Sequence, residues 1–576
     1  MAVAQNLYEI PFVVGITGHR DLPPAQLPVI RGAVESLLRS LLQANPDARI
    51  QVLCSMADGA DLLVAEVAQG LGIDVLALLT FPEDICRSDL QDDAARATFD
   101  RVMSRAERLE MPLLPGVTRE SLGAGGAERD QQYLRAALVQ ARYCSLLIAI
   151  WDGKPTTHVA GSARVVELRR RGLQLASDND LMYEIRCTRI TDVAAAHDAA
   201  AVQVRGFSGG EVEDAFDALE LPRRLREMLA RTAAFNRDAA NAEERIRAQG
   251  RALLPPDDAG ARPALAMLNQ LFMQADVLGS QFRRRFLAAI RLRYALWAAM
   301  AAMLFSLERV DYAGAALFVV VSVLAIFVAS RVHALVAHRR SWHRKYLDYR
   351  ALAEALRVDF YWEMAGMRSR YAGEFAHENF LQRQDADLEW IRAALRAVNL
   401  RAAIAPAQPT TDGIGQVMAG WIGDDTPAGR AGQIHYYRAR SAQLHQGLHR
   451  AERIDRVLLG VGLLLALTFL VDIVMSTSEA RLLPEHPRHY LMWCMALLTL
   501  YAGIYEFYVV ERADRTLARQ YRYMHGLFRI AARELAAAPT ADARLELLRS
   551  LGNASLAEHA QWTLSQRDKT IQGLKW

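Results

Sequence analysis

The residues with most chemistry to offer sit early in the chain, in Gly15-Ile-Thr-Gly-His-Arg-Asp21. Thr17 brings a hydroxyl and Arg20 a fork of donors, while Gly15 and Gly18 free the backbone where a strand gives way to a helix. Strand, glycine turn, then helix exposes backbone N–H groups to an anion. A plain turn would use the same glycines, so this stretch alone decides nothing. His19-Arg20-Asp21-Leu22 also matches the opening of a protein-kinase catalytic loop. That match is accidental: Gln26 stands where the metal-binding Asn belongs, only eighteen residues precede His19, and no Asp-Phe-Gly follows.

Two more glycine-bearing stretches lie at expected strand ends. Ser55-Met-Ala-Asp-Gly-Ala-Asp61 follows an apolar run at 50–54 and precedes a helix at 62–71. Trp151-Asp152-Gly153 follows the run that begins at Cys144. In an open α/β sheet the ligand lies outside the carboxyl ends of the strands, and all three stretches fall there. The elements that must hold them alternate. Strands are expected at 12–16, 50–54, 74–79, 144–151 and 182–189, with an amphipathic helix at 27–42 and further helices in the intervals. Such alternation predicts an α/β doubly wound parallel sheet, Rossmann-like, over residues 1–195. Residues 196–263 read as a charged helical linker region, closing on a turn at 253–263.

A chain of 576 residues holds two or more domains. Its formal charge of +3, from 68 Lys and Arg against 65 Asp and Glu, argues against a general nucleic-acid binder. The five cysteines are far apart with no Cys-x-x-Cys, which indicates neither a disulfide framework nor a zinc site. The opening Met-Ala-Val-Ala-Gln-Asn lacks the basic start and long apolar core of a cleaved signal, so the N-terminal domain is expected in the cytosol.

The second half predicts an all-α membrane region. Residues 294–307 and 312–330 are uncharged and separated by Glu308-Arg309-Val310-Asp311; residues 457–471 and 490–505 form a second such pair. The run at 312–330 is long enough for a bilayer of roughly 30 Å, and the other three reach it only with their flanks. The pairing predicts two hairpins, 294–330 and 457–510, hence four transmembrane helices. Basic segments flank both, at 281–293, 331–345, 449–456 and 511–522, which places the flanks in the cytoplasm. The loop at 476–489 carries Arg481 and Arg488, so the second hairpin is less one-sided. Each hairpin is followed by a basic, Tyr-bearing helix, and this outline divides the region into units at 264–400 and 401–576. Between them a helix is expected at 375–396 and a Pro/Gly-rich loop at 406–432. Asp472 and Glu506 interrupt the second hairpin. Each sits either at the membrane interface or facing a lumen, where it would favour cations.

Taken together, "GITGHRDL", "SMADGADLLVAEVA" and "LLIAIWDGKPTTHVAGSARVVE" resemble the SLOG branch of Rossmann-like domains, related to the DprA and LOG proteins and to the nucleotide-sensing head of TRPM channels. The resemblance covers about the first 190 residues. The paired membrane helices, with "GWIGDD" and "QIHYYRARSAQ", resemble the SLATT family of two-transmembrane effectors that accompany such sensors. SLATT units usually carry one hairpin, whereas this chain has two.

The resemblance implies a nucleotide-derived ligand and no resident cofactor. It places Gly15, Thr17 and Gly18 on a phosphate turn with His19 and Arg20 as donors, and gives Ser55, Gly59 and Ala60 a second set of contacts. Asp58 and Asp61 would accept from a ribose hydroxyl or cap the helix. Trp151 would stack on a base or fill the core; Asp152 and Gly153 close the third loop; Gly161, Ser162 and Ala163 begin a helix where a phosphate could sit. LOG phosphoribohydrolases use Pro-Gly-Gly-x-Gly-Thr-x-x-Glu. Here the Pro-Gly-Gly is missing, Val165 replaces the Glu, and Glu167 lies two residues on, which favours binding over hydrolysis. The expected protein is a homo-oligomeric effector of the bacterial inner membrane with both termini cytoplasmic. Its sensor would gate permeabilisation of the bilayer in antiphage defence. A membrane-anchored nucleotide N-glycosidase and a constitutive membrane scaffold are the alternatives.

Overall fold

The computed structural model of the protein describes residues 7–123, 126–155, 160–170, 181–192, 198–207, 221–253, 263–306, 313–367, 388–404, 412–424, 432–476, 485–511 and 514–573. Its residues divide into two compact units. One joins Met1–Leu278, Ala351–Gly413 and Gly552–Trp576; the other joins Gly279–Arg350 and Ile414–Leu551. Both are discontinuous in sequence.

The first unit is built on a seven-stranded sheet in the order β4-β3-β2-β1-β5-β6-β7. Its strands are β1 (Phe12–Gly18), β2 (Ile50–Cys54), β3 (Asp74–Leu79), β4 (Glu107–Glu110), β5 (Leu146–Trp151), β6 (Leu181–Arg186) and β7 (Gln203–Phe207). β1, β2 and β5 are almost wholly buried and mostly apolar, with Thr17 and Gln51 as the buried polar side chains, as befits central strands of a parallel sheet. Pairing is parallel from β4 to β6, and β7 adds to β6 antiparallel. The sheet is therefore mixed, with one antiparallel edge.

Helices α1 (Leu27–Ala44), α2 (Ala60–Gly70), α3 (Glu83–Ser88) and α4 (Asp93–Met103) lie in the crossovers that step outward from β1 to β4. After a short α5 (Arg119–Gly123), helix α6 (Ala127–Tyr143) brings the chain back to β5, and α7 (Ser162–Arg170) follows β5. Right-handed crossovers running in opposite directions put their helices on opposite faces. α1 and α4 accordingly both pack on α2, and α6 packs on α7. Helices α8 (Arg223–Ala240) and α9 (Glu243–Gln249) complete the N-terminal stretch.

Helix α10 (Pro263–Ser306) has its residues through Leu278 in the first unit and the rest in the second. α11 (Ala313–Arg339) and α12 (Trp342–Met364) follow. α13 (Glu389–Ile404) belongs to the first unit and packs on β1, α6 and α8, with Trp390 against Phe235 at 6.0 Å between ring centroids. The helix expected at 375–396 thus begins at Glu389 among the described residues and runs on to Ile404. Its residues 375–387, the loops at 307–312 and 477–484, and residues 405–411 and 425–431 of the Pro/Gly-rich loop lie outside the described residues.

The second unit contains α14 (Gly432–Ser476), α15 (Glu485–Glu511), α16 (Asp514–Ala537) and the start of α17 (Ala541–Gly573). Among the described residues, four helical spans are long and apolar enough to cross a membrane, at Pro263–Phe305, Ala315–Met364, Gly432–Val474 and Tyr490–Val509. Their apolar side chains point outward: Leu317, Phe318 and Leu324 on α11, Leu463 and Leu464 on α14, and Phe507 on α15 are all exposed. Water penalises such a surface and lipid does not. This is a membrane protein. Trp493 Nε1 donates to Phe305 O at 2.9 Å and Tyr501 OH to Ala298 O at 3.2 Å, joining α15 to α10.

Candidate functional site

Strand order reverses at β1, whose neighbours are β2 on one side and β5 on the other. Crossovers leave this point toward opposite faces, so a crevice opens beyond the carboxyl ends of the strands, where open α/β sheets take their ligands. A crevice of about 120 Å³ lies there. That is below the ~150 Å³ cavity that holds one benzene, so it admits one group of a ligand and leaves the remainder on the rim.

Eight of the expected site residues line it: Thr17, Gly18 and Arg20 after β1, Ser55, Asp58 and Asp61 after β2, and Gly161 and Ser162 at the start of α7. The remaining calls serve the walls. β1 runs on to Gly18, so Gly15 is mid-strand rather than in a turn, and a Cβ there would meet the Cys144 side chain at 2.8 Å. A Cβ on Gly18 would lie 2.2 Å from that of Ala60. Both glycines are required by close packing.

Gly59 has φ +74°, and a Cβ on it would fall 2.4 Å from Arg20 O. The first two loops cross there, sealed by Ala60 N–H donating to His19 O at 3.1 Å. His19 straps the third loop to the first: its own N–H donates to Ile150 O at 2.9 Å, and Asp152 N–H donates to its Nε2 at 3.0 Å. An accepting Nε2 puts the ring proton on Nδ1. Burial alone would raise the Asp152 carboxyl, but the hydrogen bond from Lys154 N–H and the Lys154 charge help hold it below the usual range.

Trp151 takes the core alternative. It is buried, its Nε1 donates to Glu184 Oε1 at 2.6 Å, and Arg170 covers the ring at 5.5 Å. Gly153, at φ +76°, sits against the Arg186 guanidinium, and Ala163 follows Ser162 in α7 without reaching the crevice. Asp58 caps no helix: α2 has Gly59 at its N-cap, and Asp58 accepts from Gly59 N–H at 2.7 Å and Gln91 N–H at 3.2 Å, tying the second loop to the turn before α4. Glu167 pairs with Arg164 at 2.8 Å and does not line the crevice.

Asp61, in the first turn of α2, is buried and accepts from Ala57 N–H at 3.3 Å. Burial pushes its carboxyl up to about 7, against the backbone N–H groups of Ala57 and Ser55 and the charge of Arg20, which pull it down. Met56, between these residues, is a non-glycine at φ 58°, and such backbone costs about 1–2 kcal/mol. Strain of this kind gathers where a loop is held for a purpose.

Three residues of the site carried no motif. Tyr133 of α6 accepts from Arg20 Nη2 at 3.1 Å and donates to Asp89 Oδ2 at 3.2 Å, fixing Arg20 at the mouth. Gln140, one helical stripe along, is buried and lines the crevice. Arg169 of α7 donates to the carbonyls of Ala141, Cys144, Ser145 and Leu181, locking α7 to the corner between α6 and β5. A signal for Gln140 was present: Gln132, Ala136 and Gln140 recur every four residues, placing polar side chains on the buried stripe of α6.

In the second unit Asp472 is buried on α14, whereas Glu506 is exposed on α15. Compared with known proteins, the chain matches no family model, no curated protein and no solved structure.

Proposed function

We propose that the first unit senses a nucleotide-derived anion and that its occupancy controls a membrane effector formed by the second. The observation that carries this reading is the crevice at the strand-order reversal. The N-terminal turns of α2 and α7, the exposed Arg20 and the buried Gln140 amide all line it. Helix N-termini and a guanidinium fork favour a phosphate, and the rim leaves room for a base and sugar outside. Coupling has a covalent route: α10, α12 and α17 each have residues in both units. A ligand that binds one arrangement of the loops better shifts the population of those helices.

The effector acts by permeabilising the bilayer, in a homo-oligomer. Exposed Arg284, Arg285 and Arg291 before the first hairpin, and Arg331, Arg339 and Arg340 after it, support a bacterial inner-membrane protein with cytoplasmic termini. This is the outline of an antiphage effector of the SLOG and SLATT type. The test is a thermal-shift screen of the full-length protein against linear, cyclic and ADP-ribose-type nucleotides. A ligand-dependent shift lost in Arg20→Ala supports the reading; no shift with any of them leaves a constitutive scaffold. A second reading, cleavage of a nucleotide at the membrane, draws on the Asp61 carboxyl, held near neutrality where proton transfer is efficient. Product formation lost in Asp61→Asn is its signature.

A further inference from the structure

Two crevice residues ask for more than a simple anion cradle. Gln140 is 4 % exposed, and its Nε2 has no hydrogen-bond partner among the described residues. A buried donor without an acceptor is rare and points to a ligand oxygen. Asp61, 5 % exposed, lines the same crevice. As a carboxylate it would repel the phosphate that Gln140, Arg20 and the two helix N-termini attract. As a carboxylic acid it would donate to that phosphate.

We propose that the crevice takes one phosphoryl oxyanion together with one proton: Gln140 Nε2 donates to the anion, Arg20 balances its charge at the mouth, and Asp61 is protonated on binding and donates its O–H. The proton comes from solvent on binding and returns to it on release. This rests on the reading of the first unit as an anion sensor, and it names the group the sensor reads.

The surroundings of Asp61 leave it as the group that titrates. Arg20 faces it from the turn after β1, and Cys54 Sγ of β2 donates to its backbone O at 3.3 Å. Burial pushes the Cys54 thiol well up, so it stays neutral. Asp58 lies in the preceding turn, Asp89 at the end of α3 and Tyr133 on α6, each lining the crevice. α1 and α4, which pack on α2, present Arg31 and Arg101 to Glu66 instead. With the Asp61 carboxyl titrating at about 7, binding that requires its proton weakens about tenfold between pH 6 and pH 8.

The experiment uses the full chain in lipid nanodiscs with two probes that do not titrate in this range, sulfate and ADP-ribose. Sulfate is followed by thermal shift against a chloride control, and ADP-ribose by calorimetry in buffers of different ionisation enthalpy. Binding about tenfold tighter at pH 6 than at pH 8, with uptake of close to one proton at pH 8, is expected. Asp61→Asn should flatten the pH profile, and Gln140→Leu should weaken both probes tenfold or more. The wild-type slope decides without any variant: affinity equal at pH 6 and pH 8 overturns the proposal, as does a slope that persists in Asp61→Asn. Sulfate binding with the slope, but no binding of ADP-ribose or cyclic nucleotides, sinks the nucleotide reading and leaves this one standing. ADP-ribose binding without the slope does the reverse, and binding of neither probe overturns both.

Discussion

Replacing Asp61 by Asn removes a buried ionisation while keeping its shape, and the consequence for stability can be worked out. The carboxyl titrates near 3.8 when exposed and is pushed up to about 7 in the folded protein, chiefly by burial. A difference of 3.2 units at 1.36 kcal/mol each is about 4 kcal/mol. The sign follows from linkage. Below pH 4 the group is protonated folded or unfolded and its ionisation costs nothing. Between pH 4 and pH 7 the unfolded chain releases the proton while the folded one keeps it, so stability falls as pH rises. Above pH 7 the penalty is complete. Asn carries no such penalty and retains an acceptor for Ala57 N–H. The variant should therefore gain on the wild type as pH rises, by about 4 kcal/mol from pH 4 to pH 8 at most. For a unit of this size, at about 2 cal/mol/K of unfolding entropy per residue, that is a Tm difference on the order of 5 °C. Melting curves of the full chain in nanodiscs, taken from pH 4.5 to pH 8 for both proteins, measure it. A Tm difference independent of pH, or one that grows as pH falls, would refute the account of Asp61.

The other expectations are more local. Gly59→Ala should destabilise the first unit by at least about 1–2 kcal/mol through its φ of +74° alone, and by more through the clash with Arg20 O; a lowered urea midpoint is the readout. Arg169→Met should cost about 3 kcal/mol by orphaning the buried carbonyls it serves, and Arg169→Lys should not rescue it, because one ammonium cannot reproduce the fork. Cys54, Cys86, Cys144 and Cys187 are buried, with the Cys86 and Cys187 thiols pushed up to about 11 and about 12 by burial, whereas Cys494 is exposed on α15 among apolar residues. A lipid-soluble maleimide should label Cys494 alone in native protein, and a membrane-impermeant one should label none.

How much of this was legible in the sequence depended on whether a pattern was periodic or distributed. β2 and β3 were legible to the residue because a short apolar run between turn residues has one reading. β4, Glu-Arg-Leu-Glu at the edge, gave no signal, since an edge strand buries little and its charges look like a helix. β7 was missed for a different reason: it pairs backward with β6, and nothing local in Gln203–Phe207 records its partner. The loops that meet at the crevice were marked by their glycines. The jobs of those glycines were not, because Gly15 and Gly18 are fixed by what packs against them, Cys144 and Ala60, which only coordinates reveal. Trp151 stood open between stacking on a base and filling the core until Glu184, 33 residues away, took its N–H. Gln140 and Tyr133 belong to α6, in the connection that returns the chain from β4 to β5, so sequence distance hid them.

Dye release from vesicles carrying the full-length protein, with and without added nucleotides, bears most directly on whether the crevice governs the membrane helices. Release should depend on one nucleotide of the panel and vanish in Arg20→Ala while the variant still inserts. Release that is the same with every nucleotide and with none, or that Arg20→Ala leaves untouched, would contradict it.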